Sequence, residues 1–178
     1  MRYVLFFGNI SPGKNVPNVL KALNILFEGN KLDFKLVMPD ITKERLNRLL
    51  VFHGLEHLRP FIFLTGYIPN NELPNLYRLA ELFLYPSLNE SFGMPILEAM
   101  ACGTPVLTSK RGAIPEIAGY DALFADPKSP EDISAKIYSL LNDNRLRMEA
   151  KNNGFKRAAK FTWQKTTAEI IREYESFY

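Results

Sequence analysis

The sequence predicts an α/β fold in which a mostly parallel, six-stranded sheet carries helices on both faces. Three observations predict it. Short, continuous apolar runs (RYVLFFG, FKLVM, FIFLTG, LFLYP, PVLTS) recur along the chain, as expected of strands buried on both sides. Between them lie segments whose apolar residues fall at helical spacing. Strand and helix alternate in order, the pattern of parallel strands joined by right-handed crossovers.

The first strand, 2–8, ends at Gly8, and the helix after it, 16–28, carries Val16, Val19, Leu20, Leu23, Leu26 and Phe27 on one stripe. A second strand spans 34–38. The helix at 42–54 has Thr42 as its N-cap and Gly54 as its terminator. A third strand (61–66), a short helix (71–80) and a fourth strand (82–86) follow. In the next helix, 95–103, Pro95 occupies the first turn, Gly103 closes it and Pro105 prevents its continuation. A fifth strand (105–109) and a short sixth (122–126) complete the sheet. Helices at 130–141, 143–161 and 163–178 finish the chain. Ligands of such sheets sit beyond the carboxyl ends of the strands, which directs attention to the loops 8–15, 38–42, 66–70, 86–94 and 109–116.

The chain has 178 residues, the size of one domain, and nearly half of them are apolar, enough for a substantial core. A net charge of +3 spread along the chain leaves no footprint for nucleic acid. The lone cysteine, Cys102, excludes a disulfide framework or a cysteine metal cluster and suits a reducing, cytoplasmic setting. The apolar run at the start is too short for a signal segment or a membrane span.

The stretch NESFGMPILEAMACGTPVL, 89–107, poses a chemical question. Its helix is mostly apolar, yet Glu90 stands just before it and Glu98 just inside it, and a buried acid is costly unless something polar meets it. The helix start at Gly93–Met94 follows a strand directly, so its free N–H groups and positive dipole end face the crevice and attract a phosphate or sugar oxygen. Gly93 allows close approach to the backbone. Glu98 leans back toward the same end, because helical side chains point N-terminally. Carboxylates only accept hydrogen bonds, so hydroxyl groups are their natural partners.

Glu90 to Glu98 has the form E-x7-E. Within NESFGMPILEAMACGTPVLTS it resembles the donor-binding signature of the retaining, GT-B-fold glycosyltransferases of family four, which include sucrose synthases and many bacterial mannosyl- and glucosyltransferases. The stretches FFGNISPGKNVPNVLKAL, FLTGYIPNNELPNLYRLAELFLYPSLNESFG, GAIPEIAGYDALFADP and FTWQKTT are similar to further family motifs, so the resemblance covers most of the chain. It implies a Rossmann-like, donor-binding half of a GT-B fold spanning 1–178, whose last helix, from about 163, packs on a missing N-terminal half. It implies transfer of a hexose, of mannose or glucose type, from a GDP- or UDP-type nucleotide sugar to a glycan or lipid-linked acceptor, with no cofactor. Peripheral association of the full enzyme with the inner membrane face goes with that acceptor. Glu90 and Lys14 would be the catalytic residues. Glu90 would bind hydroxyls of the donor sugar and Glu98 those of the ribose. Ser91, Phe92, Gly93 and Met94 would line the sugar and phosphate. Lys14, in the loop that begins at Gly8 and Asn9, would pair with the diphosphate, and Tyr67 and Ile68 would flank the base.

Without the resemblance, Glu90 reads as a loop acid, Glu98 as a helix-surface residue, Lys14, Lys110 and Arg111 as solvated cations, and Tyr67 as packing on the sheet edge. Cys102 reads as a small core residue and Trp163 as a packing anchor. His53 and His57 read as a helix end and a loop residue, and Tyr174, Phe177 and Tyr178 as an apolar face for a partner. No Asp-x-Asp pair is present, so the diphosphate is expected to be held without metal, by Lys14 and the helix N-terminus. The alternative is a non-catalytic sugar-nucleotide-binding or interaction module of the same fold; a GT-B-fold epimerase has a different signature. Such a half is either an excised piece or stands alone.

One position departs from the family pattern. Asn9 stands where Arg is common, which removes a bidentate phosphate contact worth about 1.5–3 kcal/mol. Lys110 and Arg111 follow the next strand and are positioned to supply the missing cation. Titration calorimetry of Lys110→Ala/Arg111→Ala is expected to show weakened nucleoside-diphosphate binding, and unchanged binding would refute the compensation.

Overall fold

The computed structural model describes residues 2–9, 11–39, 41–119 and 122–177. Six strands form one sheet: β1 (Tyr3–Phe6), β2 (Lys35–Met38), β3 (Ile62–Leu64), β4 (Leu82–Tyr85), β5 (Val106–Ser109) and β6 (Leu123–Ala125). All neighbours pair in parallel, in the order β3-β2-β1-β4-β5-β6. This is a Rossmann-like topology. The chain runs outward from β1 through β2 to β3, then returns to β1's other side and runs the opposite way. The loops after β1 and β4 therefore part at the sheet centre and open a crevice there.

Period-two alternation along the strands divides the core between two faces. Val4, Phe6, Leu36, Met38, Leu82 and Leu84 meet α1 (Val16–Glu28), α2 (Lys43–His53) and, later in the chain, α6 (Pro130–Asn142). Tyr3, Leu5, Val37, Phe83, Tyr85 and Val106 meet α3 (Leu73–Arg78), α4 (Met94–Ala101) and α5 (Ile114–Ala118). Next, α7 (Asn144–Ala158) packs on α4, where Gly154 lies against Met100. The last helix is α8 (Trp163–Glu175). Thr42 caps α2 by accepting from Arg45 N, and Gly54 ends it in the left-handed conformation, as expected.

The structure corrects several expectations and makes others more specific. The loop 8–15 contains a 3-10 turn, Pro12–Lys14, and a second spans Glu56–Phe61. The loop 109–116 contains the start of α5, whose five residues are too few to show a helical stripe. Cys102 is half-buried, and Trp163 is 75% exposed and anchors nothing among the described residues. Tyr67 does not pack on the sheet edge but is 87% exposed. Every residue of α8 is exposed, including Ile170, Ile171 and Tyr174. Phe177 is exposed too, and Tyr178 lies outside the described residues. His53 ends α2, while His57 sits in the second 3-10 turn and bonds Asn24 Oδ1 at 2.6 Å. Among the described residues no helix is long and apolar enough to cross a membrane.

The loops at the carboxyl edge are tied together. Buried Asn15 sends its side-chain amide to the carbonyls of Pro86 (2.9 Å) and Pro127 (2.6 Å), joining the segments after β1, β4 and β6. Leu88 N donates to Gly13 O at 2.8 Å, and Ala113 N donates to Glu90 O at 3.1 Å. Thr108 and Ser109, both buried at the end of β5, donate to Tyr85 O and Ser87 O. Asn15 itself has φ 63°, a conformation Asn tolerates and Ala resists by about 1–2 kcal/mol. Asn15→Ala also strands the buried Pro86 carbonyl, costing about 1–3 kcal/mol, whereas Pro127 O keeps its bond from Asn18 Nδ2. The variant is expected to lose about 3 kcal/mol or more in urea unfolding; a loss below about 1 kcal/mol would contradict this role.

Candidate functional site

Lys14 ends the 3-10 turn after β1, and Glu90 lies in the loop between β4 and α4. The structure brings them together across the crevice: Lys14 Nζ lies 2.7 Å from Glu90 Oε1, with the two side chains only 20% and 15% exposed. A third group joins them. The Tyr85 phenol, at the end of β4, donates to Glu90 Oε1 at 2.9 Å and accepts from Lys14 Nζ, whose ammonium also sits 4.6 Å from the Tyr85 ring centroid. Burial alone would lower the pKa of Lys14, but the bonds from Glu90 and Tyr85 outweigh it and hold the pKa above lysine's ordinary value. Burial foremost raises the Tyr85 pKa, so the phenol keeps its proton at neutral pH. The cluster therefore presents a retained cation beside a partly shielded acid.

The second acid has its own phenol. Glu98, half-buried in the second turn of α4, accepts from Tyr77 OH at 2.8 Å through Oε2. Tyr77 is 1% exposed, and burial, then the charge of Glu98, pushes its pKa far up. Tyr77 stands edge-on to Phe83 at 5.3 Å, and Phe83 stacks on Tyr85 at 5.5 Å. One aromatic row thus supports the partners of both acids.

Between them is the start of α4. Gly93 caps it at φ 93° with no side-chain cap bond; Pro95 has no N–H and Ile96 N donates to Gly93 O at 2.9 Å, which leaves the N–H groups of Gly93 and Met94 available to an acceptor. Ser91, Phe92 and Met94 are exposed around this mouth, and Phe92 meets Phe161 edge-on at 6.4 Å. Gly112 explains how closely the next loop approaches. Its φ is 55°, and an added Cβ would lie 2.4 Å from Glu90 O.

The other residues singled out from the sequence are more scattered. Asn9 is exposed, and its Oδ1 accepts from Ser11 N at 3.0 Å, so it organises its own loop. Gly8 is buried, and the space its Cβ would need is filled by Phe6 and Met38. Tyr67 lines a hollow of about 580 Å³ beyond β2 and β3, with Lys43 and Arg59, and Ile68 beside it is half-buried. Lys110 lies over the Phe124 ring at 5.2 Å. It shares a separate hollow of about 400 Å³ with exposed Arg111 and Asp126 and half-buried Asp132. A third hollow, of about 460 Å³, lies between α5 and α7 at the opposite ends of β5 and β6. None of these three includes Lys14, Glu90 or Glu98.

Tyr85, Tyr77 and Asn15 were missed by the sequence reading. A signal existed for the tyrosines, since a buried phenol requires a partner for its hydroxyl. Asn15 gave only a weak one, as an asparagine before a helix-starting Val-Pro.

Comparisons with known proteins bear on the fold and the family. The family model described as glycosyl transferases group 1 matches residues 1–157. The O-antigen chain mannosyltransferase B of Escherichia coli is 35% identical over 175 residues, covering 97% of this chain and 45% of that protein, so the chain spans about half its relative's length. Sucrose-phosphate synthase from Thermosynechococcus elongatus superimposes with a TM-score of 0.84 at 22% identity, over 99% of this chain and 45% of that one. The Anabaena protein HepE, solved in complex with UDP and glucose, gives 0.76 at 20% identity, over 99% and 48%. The sheet and helices of this chain match domains of GT-B glycosyltransferases, and the chain belongs to the glycosyl transferases group 1 family.

Proposed function

We propose that this chain is the nucleotide-sugar-binding part of a retaining, metal-independent hexosyltransferase, with mannose the favoured sugar type. The observation that carries the reading is the charged cluster at the crevice: a retained ammonium and a carboxylate, 2.7 Å apart, beside the uncapped start of α4. Such a pair suits the junction of a sugar and a diphosphate. Lys14 and the α4 amides would take the phosphate oxygens, Glu90 a hydroxyl of the sugar, and Glu98 the ribose hydroxyls. When the bond from the anomeric carbon to the phosphate oxygen breaks, its electron pair leaves with the nucleoside diphosphate, and Lys14 and the helix dipole meet the added charge. The mannosyltransferase name of the Escherichia coli relative and the UDP and glucose of the Anabaena complex support the same reading.

The acceptor, a glycan or a lipid-linked saccharide, would enter from a second domain. The unpartnered apolar residues of α8 support this, since Trp163, Ile170, Ile171 and Tyr174 form a face that such a domain would cover. We place the full protein in the cytoplasm, touching the inner membrane face peripherally. The lone cysteine fits that compartment.

A thermal-shift panel of UDP, GDP and ADP sugars tests the reading. At about a hundredfold its Kd, the right donor adds about 2.7 kcal/mol, or roughly 5–10 °C in melting temperature. In Glu98→Ala that shift should largely vanish, and the chain alone should transfer the sugar slowly or not at all. No shift with any donor, or rapid turnover by this chain alone, would contradict the proposal.

A further inference from the structure

The phenol of Tyr85 has a place in the crevice that its packing does not require. As a ring it is fully served by Phe83, against which it stacks, and it is 1% exposed. Its oxygen nevertheless stands between the two charged groups of the site, donating to Glu90 Oε1 and accepting from Lys14 Nζ. An ammonium has three donors, and two are committed here, to the phenol and to Glu90 Oε1. One remains. Of the carboxylate, Oε1 takes both protein donors, and no described residue bonds Oε2. The cluster therefore offers one cationic N–H and one carboxylate oxygen, side by side.

We infer that Tyr85 is a positioning residue for the donor, holding Lys14 on one oxygen of Glu90 so that the ammonium is kept for phosphate and the other oxygen for a sugar hydroxyl. Without the phenol, the flexible lysine stem lets the ammonium swing across both carboxylate oxygens. The two charges then satisfy each other, and a ligand must first pull them apart. The inference rests on the donor-site reading above and adds to it the group that keeps the acid and the cation from closing on each other. It also assigns a chemical preference: the cluster recognises the far phosphate and what is attached to it, not the nucleoside.

Titration calorimetry with UDP, GDP, UMP and GMP tests it on the intact chain. Tyr85→Phe keeps the ring and its stacking, so folding is expected to survive. Its affinity for whichever diphosphate binds the wild type should fall about tenfold, as for loss of one hydrogen bond to a charged group. Affinity for the matching monophosphate should stay within about twofold. In a Lys14→Met background the same substitution should cost nothing further, because Tyr85 acts through Lys14. Equal losses for diphosphate and monophosphate, or undiminished cost in the Lys14→Met background, would reduce Tyr85 to a structural residue and overturn the inference. Unchanged diphosphate binding by Tyr85→Phe would overturn it as well. A wild type that binds none of the four nucleotides would instead bring down the donor-site reading itself, and this inference with it.

Discussion

Each of two carboxylates at the rim of this sheet is met by a buried phenol, and that constraint organises the crevice. An acid held this far from water is costly unless donors reach it. Tyr85 and Lys14 reach Glu90, and Tyr77 reaches Glu98. In each case one carboxylate oxygen takes the protein donors. The acids are thereby held in place by half, which is the condition for ordered groups that can still accept hydroxyls. The aromatic row Tyr77, Phe83, Tyr85 makes both supports part of one packed face.

The sheet order explains why these groups meet at all. Lys14 follows β1 and Glu90 follows β4; the two residues are 76 apart in sequence, but their strands are adjacent in the sheet. The loops diverge there, and a crevice between diverging loops would gape without ties. Asn15 ties three loops through two carbonyls, and Gly112 lets the loop after β5 lie directly on Glu90. Left-handed Asn15, Gly93 and Gly112 stand in these loops and let the backbone turn there.

Much of the architecture was legible in the residues. Continuous apolar runs marked the strands, the 3.6-residue stripe of Val16, Val19, Leu20 and Leu23 marked α1, and Thr42 with Gly54 bounded α2. The helix at α4 was bracketed by Gly93, Pro95 and Gly103, because each of these residues has a specific backbone consequence. Short elements were not legible: α5 has five residues, and the 3-10 turns have no stripe to read. At the site, Glu90 and Glu98 stood out as acids around a mostly apolar helix start, and Lys14 through the family resemblance and its place after β1. Their supports could not, because Tyr77 and Tyr85 look like ordinary core aromatics until the sheet brings a carboxylate to each hydroxyl. Trp163 was misjudged for the opposite reason, since an aromatic residue at a helix start gives no sign of whether its cover lies in the same stretch of chain.

We propose that a nucleoside diphosphate lies at the start of α4, with Lys14 and Glu90 on one side and Glu98 on the other. A crystal structure of the chain soaked with the nucleotide it binds best tests this most directly. The diphosphate is expected within hydrogen-bonding distance of Lys14 Nζ and the amides at the start of α4, with the ribose hydroxyls on Glu98. Nucleotide density in the hollow between α5 and α7, or beside Lys110 and Arg111 with the Lys14–Glu90 pair undisturbed, would contradict it.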